Sequence, residues 1–393
     1  MSGKIRKQEF LNFPKFCMIL AGIWRMALPT RNTALKKCYL FYSGFVQVFF
    51  LSMLCSMCVQ FVLVTVDQNG TKDSEKWFKQ LSDIIILAVA EFSAVLCQGN
   101  KLMEIISYIL EEERQILQTG DRETLNFYEK QAKFCRRSNL VLFVLTTGTG
   151  SCMILENVQR RFEIEKFNKD HNETVEVQFP FELYYYKLDK AKHGLSVQLV
   201  NDISVVINIF IIIATKLIFL SSIMFVPSVL TKLQIKFKKM STCDEDMARV
   251  LVYEHQKVIR FVANLNESIK YMVMLEYLMN SLNVAAVSIQ LIRMQGEMVA
   301  SPMCYLGFLF IQTFVFGWSA NEIQMKSLAL ANAIYTSSWY EQKEKIKRIL
   351  LLMIVRGQKP LMLTIGPFDA MTTQSALKVM KASYSYISLM INN

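Results

Sequence analysis

Seven long apolar runs follow one another along this chain, most of them bordered by lysine and arginine. They are Cys38–Val66, Leu81–Gln98, Asn139–Leu155, Leu199–Val226, Tyr271–Ile292, Met303–Ala320 and Met371–Asn393. A helix needs about 20 such residues to bridge a bilayer, and only helices or closed barrels satisfy their backbone groups there. A soluble chain of 393 residues would normally divide into two or three domains. Here the 52% of hydrophobic residues come in runs instead, which predicts an all-α polytopic membrane protein with seven transmembrane helices. The net charge of +11 follows from basic residues flanking spans and calls for no nucleic acid.

Charge also sets the orientation. With the N-terminus cytoplasmic, segments 1–37, 99–138, 232–270 and 321–370 lie inside and hold 30 Lys/Arg. Segments 67–80, 159–195 and 293–301 lie outside and hold 11. The positive-inside rule therefore predicts N-terminus in and C-terminus out. Two N-glycosylation patterns, at Asn69 and Asn172, fall outside under this topology, whereas a third, at Asn266, falls inside and should go unused. No short apolar run with a small-residue cleavage site opens the chain, so the first span is expected to act as the insertion signal. The patch Phe10–Leu28 is broken by Pro14, Lys15 and Arg25, and is expected to lie at the interface.

The chain divides into a cytoplasmic N-terminal segment (1–37), spans one to four (38–231), spans five and six with cytoplasmic helices (232–370), and the seventh helix (371–393). Span four is expected to close at Pro227 and a polar loop to occupy residues 156–195. Residues 243–270 and Glu344–Arg356 read as amphipathic helices, the latter presenting Ile346, Ile349, Leu350 and Met353 and ending before Pro360. Cytoplasmic extensions of spans four, five and six are expected to pack with it as an anchor bundle. Nine cysteines and three histidines form no metal motif, and Cys55 and Cys58 read as packing residues inside a span. No enzyme motif, cofactor or metal is expected. The pair Gly148 and Gly150 reads as close helix approach, with no phosphate site.

The last helix carries a regular polar edge. Gln374, Lys378, Lys381, Ser385, Ser388 and Asn392 are separated by 4, 3, 4, 3 and 4 residues, one stripe of a helix, with Leu377, Met380, Tyr384, Ile387 and Ile391 on the other side. In isolation such a stripe fits a surface helix or one packed on its neighbours. At the end of a chain of spans it fits a helix lining an aqueous path. Glu91, Lys216 and Glu276 are the charges at mid-span in the other spans, and are functional candidates for that reason. Glu91 is expected to meet a polar ligand or pair internally, and Lys216 to pair or snorkel. Lys378 and Lys381 are expected to snorkel to the inner interface.

Seven spans bring G-protein-coupled receptors to mind, but the orientation is reversed. Span three is followed by Glu156-Asn157-Val158-Gln159-Arg160-Arg161 with no D-R-Y, and no Asn-Pro pair exists. A secondary transporter would show repeat symmetry between its halves, and the spacing shows none. The C-terminal third resembles the insect odorant receptors. The carrying residues are Ala333-Ile334-Tyr335-Thr336-Ser337-Ser338-Trp339-Tyr340, then Arg356-Gly357-Gln358-Lys359-Pro360-Leu361 and Gly366. Lys381-Ala382-Ser383-Tyr384-Ser385-Tyr386-Ile387-Ser388-Leu389 and the segment around His255-Gln256 complete the match. The T-Y-x5-Q-F ending of the related gustatory receptors is absent after Tyr386.

This resemblance implies a subunit of an odorant-gated, non-selective cation channel, four subunits around one pore, assembled with a shared co-receptor. It implies the plasma membrane of olfactory sensory neurons. On the family's pore helix, matched at Tyr386, Leu389 falls at the apolar gate and Asn392 near the outer mouth, with Ser385 and Ser388 on the same path. The implied odorant site lies in the outer half of the membrane, among Ala88, Glu91, Phe92, Thr147, Gly150, Ser151, Ile154, Ile203, Val206, Ile207, Phe308 and Gln312. Trp339 and Tyr340 are expected to anchor the cytoplasmic bundle.

Overall fold

The computed structural model describes residues 10–25, 32–67, 74–118, 121–171, 183, 194–240, 245–293 and 300–391. Among them are ten helices: α1 Asn12–Leu20, α2 Thr33–Asp67, α3 Ser74–Gln98, α4 Asn100–Gln118, α5 Arg122–His171, α6 Gly194–Lys238, α7 Glu245–Arg293, α8 Ala300–Tyr335, α9 Glu344–Gly357 and α10 Thr373–Ile391. Between α9 and α10 sits a two-stranded antiparallel hairpin, β1 Thr364–Ile365 and β2 Asp369–Ala370, paired Thr364 with Ala370 and Ile365 with Asp369. Gly366 turns this hairpin at φ 57°, where a Cβ would also come within 2.6 Å of the Met274 sulfur.

Helix α6 is the axis of the bundle. It is apolar on all sides, as a fully enclosed helix must be, and packs against α1, α2, α3, α4, α5, α7 and α8. From Leu217 to Ile235 every residue is buried. Helix α5 instead buries one stripe, Thr124, Tyr128, Ala132, Cys135, Asn139, Leu142, Thr146 and Gly150, spaced by three or four residues. Gly150 lies so close to α6 that a Cβ there would strike Ile209 Cδ1, while Gly148 faces open space. The glycine pair therefore serves close approach through one of its members.

Four helices, α2, α5, α6 and α8, are long and apolar enough to cross a bilayer, and α3 and α4, bent by 60° at their junction, pass the same test only together. The remaining two expected spans correspond to α7 and α10, both of which carry polar residues through their apolar stretch.

Three expectations change. The patch at Phe10–Leu28, expected at the interface, is also part of the core: Phe10, Cys17 and Met18 are buried, while Phe16 and Leu20 stay exposed. The Phe10 ring meets Phe225 edge-on at 5.2 Å, because the apolar face of α1 has α6 and α5 to cover it. Helix α6 does not end at Pro227 but runs through it to Lys238. A proline interrupts one backbone bond, which surrounding helices tolerate when they pack the segment on every side. Residues 156–171 are the last turns of α5, not loop, and its charged side chains there, such as Arg160, point outward.

Beyond their apolar stretches α7 and α8 continue and pack with α9. Helix α9 starts at Glu344 and buries Ile346, Leu350, Met353, Ile354 and Gly357 against α8 and α7. Trp339 packs against the same core and Tyr340 is exposed.

Candidate functional site

Helix α10 is held by α7 and α8 through small residues. A Cβ on Gly317 of α8 would lie 2.7 Å from the Thr372 carbonyl oxygen and 3.2 Å from Ala376 Cβ. The Ser383 hydroxyl donates to the Ser281 carbonyl of α7 at 3.1 Å. Ser375, Ala376 and Ser383 form the buried face. The predicted polar edge is elsewhere: Gln374, Lys378, Lys381 and Ser385 are exposed and Ser388 is half-buried. Leu377 and Tyr384, on the side opposite the polar stripe, are exposed too. The reason is that small residues permit the close approach to α7 and α8, so the larger apolar residues fall outside the contact. Lys378 is paired with Asp369 of the hairpin at 2.6 Å, which holds the Asp369 carboxyl below the usual range. Asn392 lies outside the described residues.

The hairpin in turn is tied to α7. Thr364 N–H donates to Asn266 Oδ1 at 2.7 Å, and Gly366 N–H to the Lys270 carbonyl at 2.9 Å. Asn266, the third glycosylation pattern, is thus engaged inside the fold. Asn69 and Asn172 lie outside the described residues.

One polar cluster sits among the apolar stretches of α6, α7 and α8. Lys216 Nζ donates to Gln312 Oε1 at 2.7 Å, lies 3.8 Å from Glu276 Oε1, and stands 5.3 Å from the Phe308 ring centre. Lys216 therefore pairs internally, as expected. A turn further along α7, Asn280 donates to Thr313 Oγ1 of α8 at 3.1 Å. These contacts make a polar seam along the α7–α8 boundary that ends at Ser281 and Ser383 on α10.

The twelve expected odorant-site residues divide into two sets. Gly150, Phe308 and Gln312 are buried inside the bundle, and Phe308 and Gln312 meet at Lys216. Ala88, Phe92, Ser151, Ile203 and Val206 are exposed, and Glu91, Thr147, Ile154 and Ile207 are half-buried. The sequence marked Lys216 and Glu276 only as charges; that they join Gln312, 96 residues away from Lys216, becomes visible only in the fold.

The meeting of α4, α6 and α7 holds a different kind of cluster. Glu112 of α4 accepts from Lys232 of α6 at 3.0 Å and from Lys257 of α7 at 2.7 Å. Burial alone would raise this carboxyl, but the two ammonium groups more than offset that and hold it below its ordinary value. Its neighbour Glu113 accepts from the Tyr128 hydroxyl and from Phe10 N–H. Lys257 also stands 4.8 Å from the Tyr108 ring centre, and Tyr108 stacks on Phe261. His255 is buried near Arg356, and burial with that positive neighbour brings it down to about 4. At the start of α5, hydrogen bonds from Lys239 and Thr124 hold Asp121 at about 2.

The sequence profile of the 7tm odorant receptor family matches residues 79–384. Odorant receptor 10 of Aedes albopictus is 33% identical over 141 residues, 36% of this chain and 38% of that protein. Odorant receptor Or2 of Anopheles gambiae is 30% identical over 138 residues, 35% of this chain and 36% of that protein. These alignments span little more than a third of either relative. Over nearly the whole chain the fold is that of the insect olfactory receptor OR5 from Machilis hrabei, solved in complex with eugenol: TM-score 0.81, 15% identity, 98% of this chain and 97% of the other.

Proposed function

The chain belongs to the 7tm odorant receptor family, and from that premise we propose that it is one subunit of a cation channel opened by a small volatile odorant. Four subunits, this chain together with a shared co-receptor, surround one pore in the plasma membrane of olfactory sensory neurons. The N-terminus is cytoplasmic and the C-terminus extracellular, with seven spans, α2, α3, α5, α6, α7, α8 and α10, and glycans on Asn69 and Asn172. The engaged side chain of Asn266 agrees with this topology.

The observation that carries the reading is the unpacked polar edge of α10. Within the protomer Gln374, Lys381 and Ser385 are exposed on a helix whose other face is fixed to α7 and α8. One helix cannot enclose water, but four such edges around an axis do. Leu389 forms the apolar ring that blocks ions by dewetting when the pore is narrow. Asn392 offers a neutral carbonyl to a partly hydrated cation, which gives weak ion selectivity. The Lys378–Asp369 pair removes one charge that would repel a cation at the inner end.

The odorant occupies the outer half, between α3, α5, α6 and α8, with Phe308, Gln312 and Gly150 inward and Phe92, Ser151 and Ile203 toward its open side. An apolar cavity with few polar groups suits a volatile. Its effect reaches the pore because Gln312 sits on α8, which together with α7 holds α10. A ligand that favours one packing of α7 against α8 shifts Ser281 and Gly317, and α10 with them.

Whole-cell recording with a panel of volatiles, with and without the co-receptor and with G-protein signalling blocked, tests this reading. The expected result is a ligand-evoked cation current that survives the block. A response abolished by the block would assign the chain to the G-protein-coupled class instead.

A further inference from the structure

We infer that the odorants of this receptor are small neutral alcohols or phenols, recognised by a hydroxyl that bridges Lys216 and Glu276. The inference rests on the odorant-gated reading above and names the ligand class of that site.

Lys216 marks a boundary on α6. Below it, residues 217–235 are all buried; above it Leu199, Ile203 and Val206 are open. At this floor the ammonium has three hydrogens and one acceptor at hydrogen-bond distance, Gln312 Oε1. Glu276 Oε1, at 3.8 Å, is too far for a hydrogen bond. Both side chains keep some exposure, 16% for Lys216 and 12% for Glu276, so neither is closed to a small polar group. The same chain closes an ion pair elsewhere: Lys232 and Glu112 meet at 3.0 Å with side-chain exposures of 6% and 5%. The Lys216–Glu276 pair is the looser of the two, and Phe308 and Gln312 of α8 stand beside its lysine.

An oxygen about 2.8 Å from both Lys216 Nζ and Glu276 Oε1 would bridge the two groups. It must accept from the ammonium and donate to the carboxylate. A hydroxyl does both. An ether or ketone accepts only, and leaves the carboxylate as it was. A hydrocarbon does neither. A carboxylic acid in its ionised form meets Glu276 with like charge, and an amine meets Lys216 in the same way. The Phe308 ring, beside the ammonium, offers an apolar face for the body of the ligand.

The test compares straight-chain and benzylic alcohols and phenols with their methyl ethers, in cells expressing the receptor with the co-receptor and a surface label. The alcohol or phenol is expected to act at a concentration about tenfold or more below its ether, because a site built around a hydroxyl penalises its loss. In the double variant Lys216→Met/Glu276→Met, which leaves no unpaired charge behind, the two are expected to come within about twofold while surface label persists. Equal potency of alcohol and ether on the unmodified receptor overturns the inference, as does a preference that survives the double variant. Water held permanently between the two groups would give the first of these results. The order on the unmodified receptor decides the matter even where the variant fails to reach the surface. Volatile-evoked currents without hydroxyl preference refute this inference alone; no current from any class of volatile refutes the channel reading with it.

Discussion

The two halves of α6 are built differently. From Leu217 to Ile235 it is enclosed on every side, and its charge there, Lys232, is matched at 3.0 Å by Glu112. From Gly194 to Lys216 it leaves Leu199, Ile203 and Val206 open, and its charge is met by a carboxylate only at 3.8 Å. The neighbours follow suit: Phe92 and Val95 on α3 and Val144 and Leu155 on α5 are exposed, whereas α9 and the hairpin are pinned to α7 and α8. The Leu217–Ile235 half, the inner one in the topology proposed above, is closed scaffolding. The Gly194–Lys216 half, the outer one in that topology, keeps surfaces that lipid, another subunit or a ligand can cover, which is where a receptor needs looseness.

Four changes test this difference, beginning with the largest. Glu112→Ala leaves Lys232 buried without its carboxylate and should destabilise the solubilised receptor by about 3–5 kcal/mol, read as a lowered melting temperature or lost assembly. An unchanged melting temperature would mean that the inner half is less closed than its burial shows. Gly317→Ala places a methyl 2.7 Å from the Thr372 carbonyl oxygen, a backbone atom that moves only with α10. It should cost up to about 3 kcal/mol and shift the open probability. Gly150→Ala in the outer half meets the flexible tip of Ile209 and should cost under about 1 kcal/mol, so equal effects of the two glycine changes would erase the contrast.

Acid provides the third probe. His255 is held at about 4 against its usual 6.5, so the folded state keeps it neutral. Its contribution is complete above 6.5 and is lost as pH falls from 6.5 toward 4, where the unfolded chain takes up a proton that the folded chain refuses. At pH 5 the loss is about 2 kcal/mol. Thermal unfolding at pH 7 and pH 5 measures it, and His255→Gln should flatten the difference. Last and smallest in stability, Phe92→Ala should leave assembly intact and reorder the odorant ranking. Loss of surface expression instead would make Phe92 a packing residue.

Much of the inner half could be read from the sequence. Helix α9 was legible to within one residue because its apolar period is strong and Pro360 stops it. The span limits were not, because hydropathy reports the bilayer and not the helix. The charged residues of α5 beyond Leu155 sit on an open face and allow it to continue to His171. Helix α1 was missed as core because its burial is supplied by Phe225 and the rest of α6, far away in sequence. On α10 the polar stripe could be read from its period, but the packed face could not: it is made by the small residues Ser375, Ala376 and Ser383, while Leu377 and Tyr384 stay exposed. The candidate ligand site was legible as a list of helices; the meeting of Lys216, Gln312 and Glu276 depends on pairings that no local pattern carries.

Cysteine substitution on α10 tests the central claim most directly. Ser385 lies on the exposed edge and Ser383, two residues earlier, is buried against Ser281. With the co-receptor present, a charged, water-soluble thiol reagent should change the odorant-evoked current of Ser385→Cys and leave that of Ser383→Cys and of the unsubstituted receptor as it was. Modification that alters the Ser383→Cys current while sparing Ser385→Cys would contradict an ion path along this edge.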